Sequence, residues 1–107
     1  MAVNFETINS VIQQYVTDVK KAIPIDKVYL YGSYAKGKQQ DGSDVDICFF
    51  SQAFETRQPL DILTDLFYLK IKYDKDILIE PNAFPTNELY SDNPFVNEIL
   101  RTGRELV

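Results

Sequence analysis

The 107-residue chain has no histidine and a single cysteine, Cys48. Without imidazole there is no Ser-His-Asp triad and no histidine acid or base. One thiol excludes a Cys/His zinc site and a disulfide within the chain. No apolar run approaches the roughly 20 residues of a membrane-spanning helix. The opening MAVNFETINS has no basic segment leading into an apolar stretch, so no signal peptide is expected. A lone Cys without an export signal fits the reducing cytosol, and the expected location is cytoplasmic. Positive charge is also scarce: 11 Lys and Arg stand against 16 Asp and Glu, a net charge of −5. That balance argues against nonspecific nucleic-acid binding, which needs clustered basic charge, and against anionic membrane surfaces. Any acid–base or metal chemistry must therefore run on carboxylates.

What is present reads as one globular domain spanning 1–107, with 45% apolar and 25% charged residues. Phe5, Ile8, Val11, Ile12, Tyr15, Val16, Val19 and Ile23 recur at steps of three and four, the spacing of an amphipathic helix. Asn4 is its candidate cap, and Pro24 ends it. KVYLYG, residues 27–32, predicts a strand stopped by Gly32. Residues 33–43 are small and polar and predict a loop containing about one helical turn. DVDICFF, residues 44–50, predicts a buried strand. Residues 57–71 carry two adjacent helical stripes, Leu60, Leu63, Phe67 and Ile62, Leu66, Leu69. KDILIE, residues 75–80, predicts a third strand stopped by Pro81. In DNPFVNEILRTG, Asn93 suits an N-cap, Pro94 the first helical position, and Gly103 a left-handed C-terminal residue. The expected fold is α/β, a short mixed sheet flanked by helices in the order α-β-(turn)-β-α-β-α.

The chemistry concentrates in GSYAKGKQQDGSDVD, residues 32–46. Side chains alternate along a strand, so Asp44 and Asp46 point to one side. Two carboxylates that close repel, and one protonates unless a cation lies between them. Hard oxygen ligands of this kind suit Mg²⁺. A frayed, solvated strand end is the blander reading of D-x-D alone. Upstream, Gly32-Ser33 ends the preceding strand, where a glycine lets backbone N–H groups approach phosphate and a serine hydroxyl donates to it. A third carboxylate can come from Asp76 or Glu80, which share a face of the third strand as expected from sequence, although both also fit solvated strand ends.

Rival patterns are weaker. GSYAKGKQ nearly matches G-x-x-x-x-G-K-[ST] with Lys38 as its lysine, but Gln39 replaces the hydroxyl that ligates Mg²⁺ and no long helix follows. DGSDVD places Val45 where an EF-hand needs a ligand. Cys48, on an apolar strand, reads as core. Lys36 and Lys38 either contact phosphate or are simply solvated. Tyr29 and Tyr31 read as packing, and Tyr34 as a candidate rim residue.

GSYAKG followed by GSDVD on consecutive strands resembles the nucleotidyltransferase domain of the DNA polymerase β superfamily, and more narrowly the minimal nucleotidyltransferases of prokaryotes. The endings IEP and NPFVNEILRTG resemble a subset of those short proteins. The resemblance implies a polymerase β palm-like fold in which Gly32, Ser33 and Lys36 bind a nucleoside triphosphate. Asp44 and Asp46 would hold two Mg²⁺ ions, with a third-strand carboxylate completing the site. The IEP subset places that carboxylate at Glu80, and a strand-start comparison places it at Asp76, with Glu80 ranked first. The implied reaction is transfer of a nucleoside monophosphate, foremost AMP from ATP, to a hydroxyl acceptor by two-metal catalysis, with Glu80 the candidate base. The resemblance also implies a partner, either a helical HEPN-type protein for which the chain acts as antitoxin or a second copy. The alternatives are an antitoxin that acts by complex formation alone and an inactive metal- and nucleotide-binding domain.

Overall fold

The computed structural model describes residues 5–37, 44–75 and 77–106, with side chains from Ile8 onward. Asn4, Lys38, Gln39 and Asp76, each given a role above, lie outside the described residues. The first helix, α1, is Phe5–Ala22. Strand β1 is Lys27–Tyr31 and β2 is Val45–Ser51. Helix α2 is Pro59–Lys70, β3 is Ile79–Pro85, α3 is Pro94–Thr102 and β4 is Arg104–Glu105. The expected order holds, with β4 added at its end.

The four strands lie in the order β3-β2-β1-β4. β1 runs antiparallel to both β2 and β4, while β2 and β3 are parallel. Parallel neighbours need a crossover connection, and α2 supplies it. α1 and α2 cover one face. Ile8, Val11, Ile12, Tyr15, Val16 and Val19 of α1, with Ile62 and Leu66 of α2, bury Val28, Leu30, Val45, Ile47, Phe49 and Ile79. The Tyr15 hydroxyl, inside this core, donates to the Leu66 carbonyl at 2.9 Å. On the other face α3 sets Val96 and Ile99 against Cys48 and Phe50, with Tyr29, Tyr31, Phe84 and Leu89 around them. Each such aliphatic or aromatic side chain contributes about 1.5–3 kcal/mol by leaving water.

Three expectations are corrected. The third strand is not residues 75–80 stopped by Pro81; β3 begins at Ile79 and runs through that proline to Pro85. The reason is its position at the sheet edge. The Leu78 carbonyl accepts from the Val45 N–H at 2.8 Å, and a parallel ladder bonds at every second residue. Residues 80, 82 and 84 thus bond toward β2, and Pro81 and Pro85 turn their missing donors outward, where nothing is lost. Gly103 is extended (φ −83°, ψ 172°), not left-handed. A Cβ there would lie 2.5 Å from the Ile99 carbonyl oxygen and 2.9 Å from that of Leu30. Its lack of a side chain thus permits close passage of the chain into β4. Tyr34 is buried in the larger core rather than standing at a rim. Of the two stripes on α2, Ile62 and Leu66 are buried, whereas Leu60 and Phe67 are exposed.

Candidate active site

Asp46 lies on the α3 face of the sheet, since its neighbours two and four residues along, Cys48 and Phe50, pack against α3. In register with it across the sheet are Tyr31 on β1 and Glu80 on β3. Adjacent strands are about 4.8 Å apart, so the Asp46 and Glu80 carboxylates are neighbours. Asp44 sits just ahead of β2, half-buried. The Asp46 carboxyl is pushed up from 3.8 to about 6, first by burial and then by repulsion from Asp44 and Glu80. Asp44 and Glu80 therefore both act on Asp46, and the row Tyr31–Asp46–Glu80 ends an otherwise apolar sheet face in negative charge.

Gly32 follows β1 and turns the chain away with φ +76°, a conformation that side chains disfavour. A Cβ at Gly32 would overlap the Asp46 carboxylate. Glycine is thus favoured here by backbone geometry, and any side chain would also have to displace the Asp46 carboxylate. Residues 33–37 form a single turn in which the Lys36 N–H donates to the Gly32 carbonyl at 3.2 Å, as expected for this loop. Ser33, half-buried, opens that turn. The exposed Lys36 ammonium is 3.7 Å from Glu98 on α3, and Glu98 also holds Arg101 at 2.6 Å. Gly37, again at positive φ, closes the turn.

Two residues that the sequence reading did not place at the site complete the surroundings. Asn82 donates to the Tyr31 hydroxyl at 3.2 Å, joining β3 to β1 over the intervening Cys48. The Tyr31 phenol is pushed up to about 12, chiefly by burial, with Asp46, Cys48 and Glu80 adding to the rise. It therefore stays protonated at neutral pH. A strand taken to stop at Pro81 hides Asn82; the signal for it was the continued alternation Glu80, Asn82, Phe84. Phe95 at the start of α3 meets Tyr31 edge-on with ring centres 5.7 Å apart. The Cys48 thiol, fully buried and pushed up to about 12 by that burial, is core as expected.

The donor set is all oxygen and multiply negative, the chemistry that suits a hard divalent cation. Among the described residues, no three acidic or cysteine side chains converge closely enough to hold an ion by themselves.

No curated protein sequence matches the chain. In fold, it is similar to the crystal structure of a "putative nucleotidyltransferase" from Sulfolobus solfataricus, with 19% identity and a TM-score of 0.65. That match covers 98% of this chain and 89% of the other. Residues 6–107 match the family model for the polymerase beta nucleotidyltransferase domain, and the chain belongs to that family.

Proposed function

We propose that the chain transfers a nucleoside monophosphate from a nucleoside triphosphate, foremost ATP, to a hydroxyl group on a partner protein. The observation that carries this reading is the placement of Asp46 and Glu80 side by side on parallel strands with Gly32 shaped against Asp46. Asp44 and Glu80 already repel the charge on Asp46, and the three would also repel a bare triphosphate. A divalent cation removes both conflicts, so we assign Asp44, Asp46 and Glu80 as the carboxylates that would share Mg²⁺ with substrate phosphates and water. Bound there, the metal would supply charge neutralisation at the phosphates and a lowered pKa for the attacking hydroxyl.

The chain's own groups do the rest. Gly32 leaves the backbone of the turn open to phosphate, and the Ser33 hydroxyl donates to a phosphate oxygen. Lys36 offers its ammonium from across the same turn; its link to Glu98 is long and exposed, hence weak. Glu80 takes the proton of the attacking hydroxyl. The acceptor oxygen bonds to the α-phosphorus, the bond from that phosphorus to the bridging oxygen breaks, and pyrophosphate leaves with its electron pair. The acceptor is assigned to a helical HEPN-type partner on the strength of the resemblance.

The test is label transfer from α-phosphate-labelled ATP in Mg²⁺, with and without the candidate partner. Transfer should fall at least 100-fold in Asp46→Ala and in Glu80→Gln. Unchanged transfer in Asp46→Ala would overturn the proposal. Loss in Asp76→Asn with normal transfer in Glu80→Gln would move the third role to Asp76.

A further inference from the structure

We propose that Tyr31 and Asn82 are positioning residues for Asp46 and Glu80: Asn82 fixes the Tyr31 phenol, and the phenolic proton is directed onto the two carboxylates, setting them for a divalent cation. This deepens the proposed function and rests on its reading of Asp46 and Glu80 as cation ligands. The bond between the two residues spans the sheet. Tyr31 is on β1 and Asn82 on β3, two strand spacings or about 10 Å apart. β2 lies between them and presents Cys48 in the row of Asn82. That small side chain leaves room for a phenol to pass over it. Asn82 then donates to the Tyr31 hydroxyl at 3.2 Å. Phe95 holds the ring from the α3 side, edge-on with ring centres 5.7 Å apart. The phenol is thus fixed both at its ring and at its oxygen.

The direction of the bond decides what the phenol can do. Asn82 is the donor, so it takes up a lone pair of the Tyr31 oxygen and leaves the phenolic proton for another acceptor. A phenol keeps that proton at neutral pH, and a hydroxyl proton rotates to suit its surroundings. The negative groups around it are Asp46 and Glu80, both of which act on the phenol. Asp46 is the partner of Tyr31 across β1 and β2, and Glu80 is two residues from Asn82 on the same face of β3. Carboxylates that hold a metal are themselves held by hydrogen bonds from groups behind them, and losing one such group typically lowers metal affinity about 10–100-fold. Tyr31 stands in that place, between the acids and the apolar floor formed by Cys48, Phe50, Val96 and Ile99. An apolar pair would fill this half-buried corner with no polar group left to satisfy, so packing alone does not call for a phenol and an amide here.

Mn²⁺ binding to the full chain tests this, read from the electron paramagnetic resonance signal of the free ion; Mn²⁺ takes the same oxygen donors as Mg²⁺. Tyr31→Phe keeps the ring and loses only the hydroxyl. It should leave the circular dichroism spectrum unchanged and weaken Mn²⁺ binding about tenfold. Asn82→Leu should weaken binding as well. The double variant should bind no worse than Tyr31→Phe alone, because Asn82 acts through the phenol. A purely structural pair predicts unchanged Mn²⁺ affinity in Tyr31→Phe, and that result overturns the proposal. Additive losses in the double variant overturn it too. A parent chain that binds no Mn²⁺ overturns the cation reading and this inference together, whereas a parent that binds while Tyr31→Phe binds equally well removes only the inference. The readout is binding, so a parent that holds Mn²⁺ but transfers no label sinks the transferase reading and leaves the pair's role standing.

Discussion

The Asp46 carboxylate occupies the space that a Cβ on Gly32 would need. Together with the positive φ of Gly32, this makes the turn and the acid a single unit. Gly32→Ala should cost about 1–3 kcal/mol of stability, measured by urea unfolding. In an Asp46→Ala background the overlap is gone and only the backbone strain remains, so the same substitution should cost less. Equal costs in both backgrounds would show that the two residues do not interact.

The raised Asp46 carboxyl predicts a definite pH dependence of the metal-free protein. The unfolded acid titrates near 3.8 and the folded one near 6. Below the lower value both states are protonated and there is no penalty. As pH rises through the window, the folded state binds more protons than the unfolded, so stability falls; above about 6 the loss is complete. Asp46→Asn removes the charge and should melt at a higher temperature than the parent at about pH 7.5 in chelator. The difference should vanish near pH 4. A variant less stable than the parent at pH 7.5 contradicts the electrostatic account.

Gly103 discriminates between two reasons for a glycine. A left-handed residue tolerates Asn better than Ala. An extended residue hemmed in by the Ile99 and Leu30 carbonyls tolerates neither. Gly103→Ala and Gly103→Asn should each cost about 1–3 kcal/mol as overpacking. Both should speed hydrogen exchange at the Leu106 amide, which donates to the Val28 carbonyl at 2.7 Å beyond β4. Near-normal stability in the Asn variant would restore the left-handed explanation.

Cys48 offers a probe of unfolding. Its thiol is inaccessible, and burial holds it far above the usual range. Only the thiolate reacts with alkylating agents. Iodoacetamide near pH 8 should modify the native chain only at the rate at which it opens, and should modify the urea-unfolded chain within minutes. Rapid modification of the native protein would show that the sheet opens locally at Cys48.

Sequence periodicity alone determined much of this protein. Three-and-four spacing in α1, Asn93-Pro94 at the start of α3 and the apolar run of β2 each encode a local preference that the fold retains; the Asn93 side chain accepts from the Phe95 and Val96 amides at 3.0 and 3.4 Å. The G-S and D-x-D elements could be singled out as candidates from sequence, because alternation along a strand is a local property. What required tertiary structure was anything set by a neighbouring strand. Pro81 reads as a stop until β3 is known to be an edge whose odd residues face outward. Asn82 gains its partner only because Tyr31 lies two strands away. Whether a stripe on α2 is buried depends on which side meets the sheet, and a helix carrying two stripes has no local means of choosing. The fit of Gly32 to Asp46 joins residues 14 positions apart in the chain, a contact that antiparallel pairing of β1 and β2 creates and local sequence cannot express.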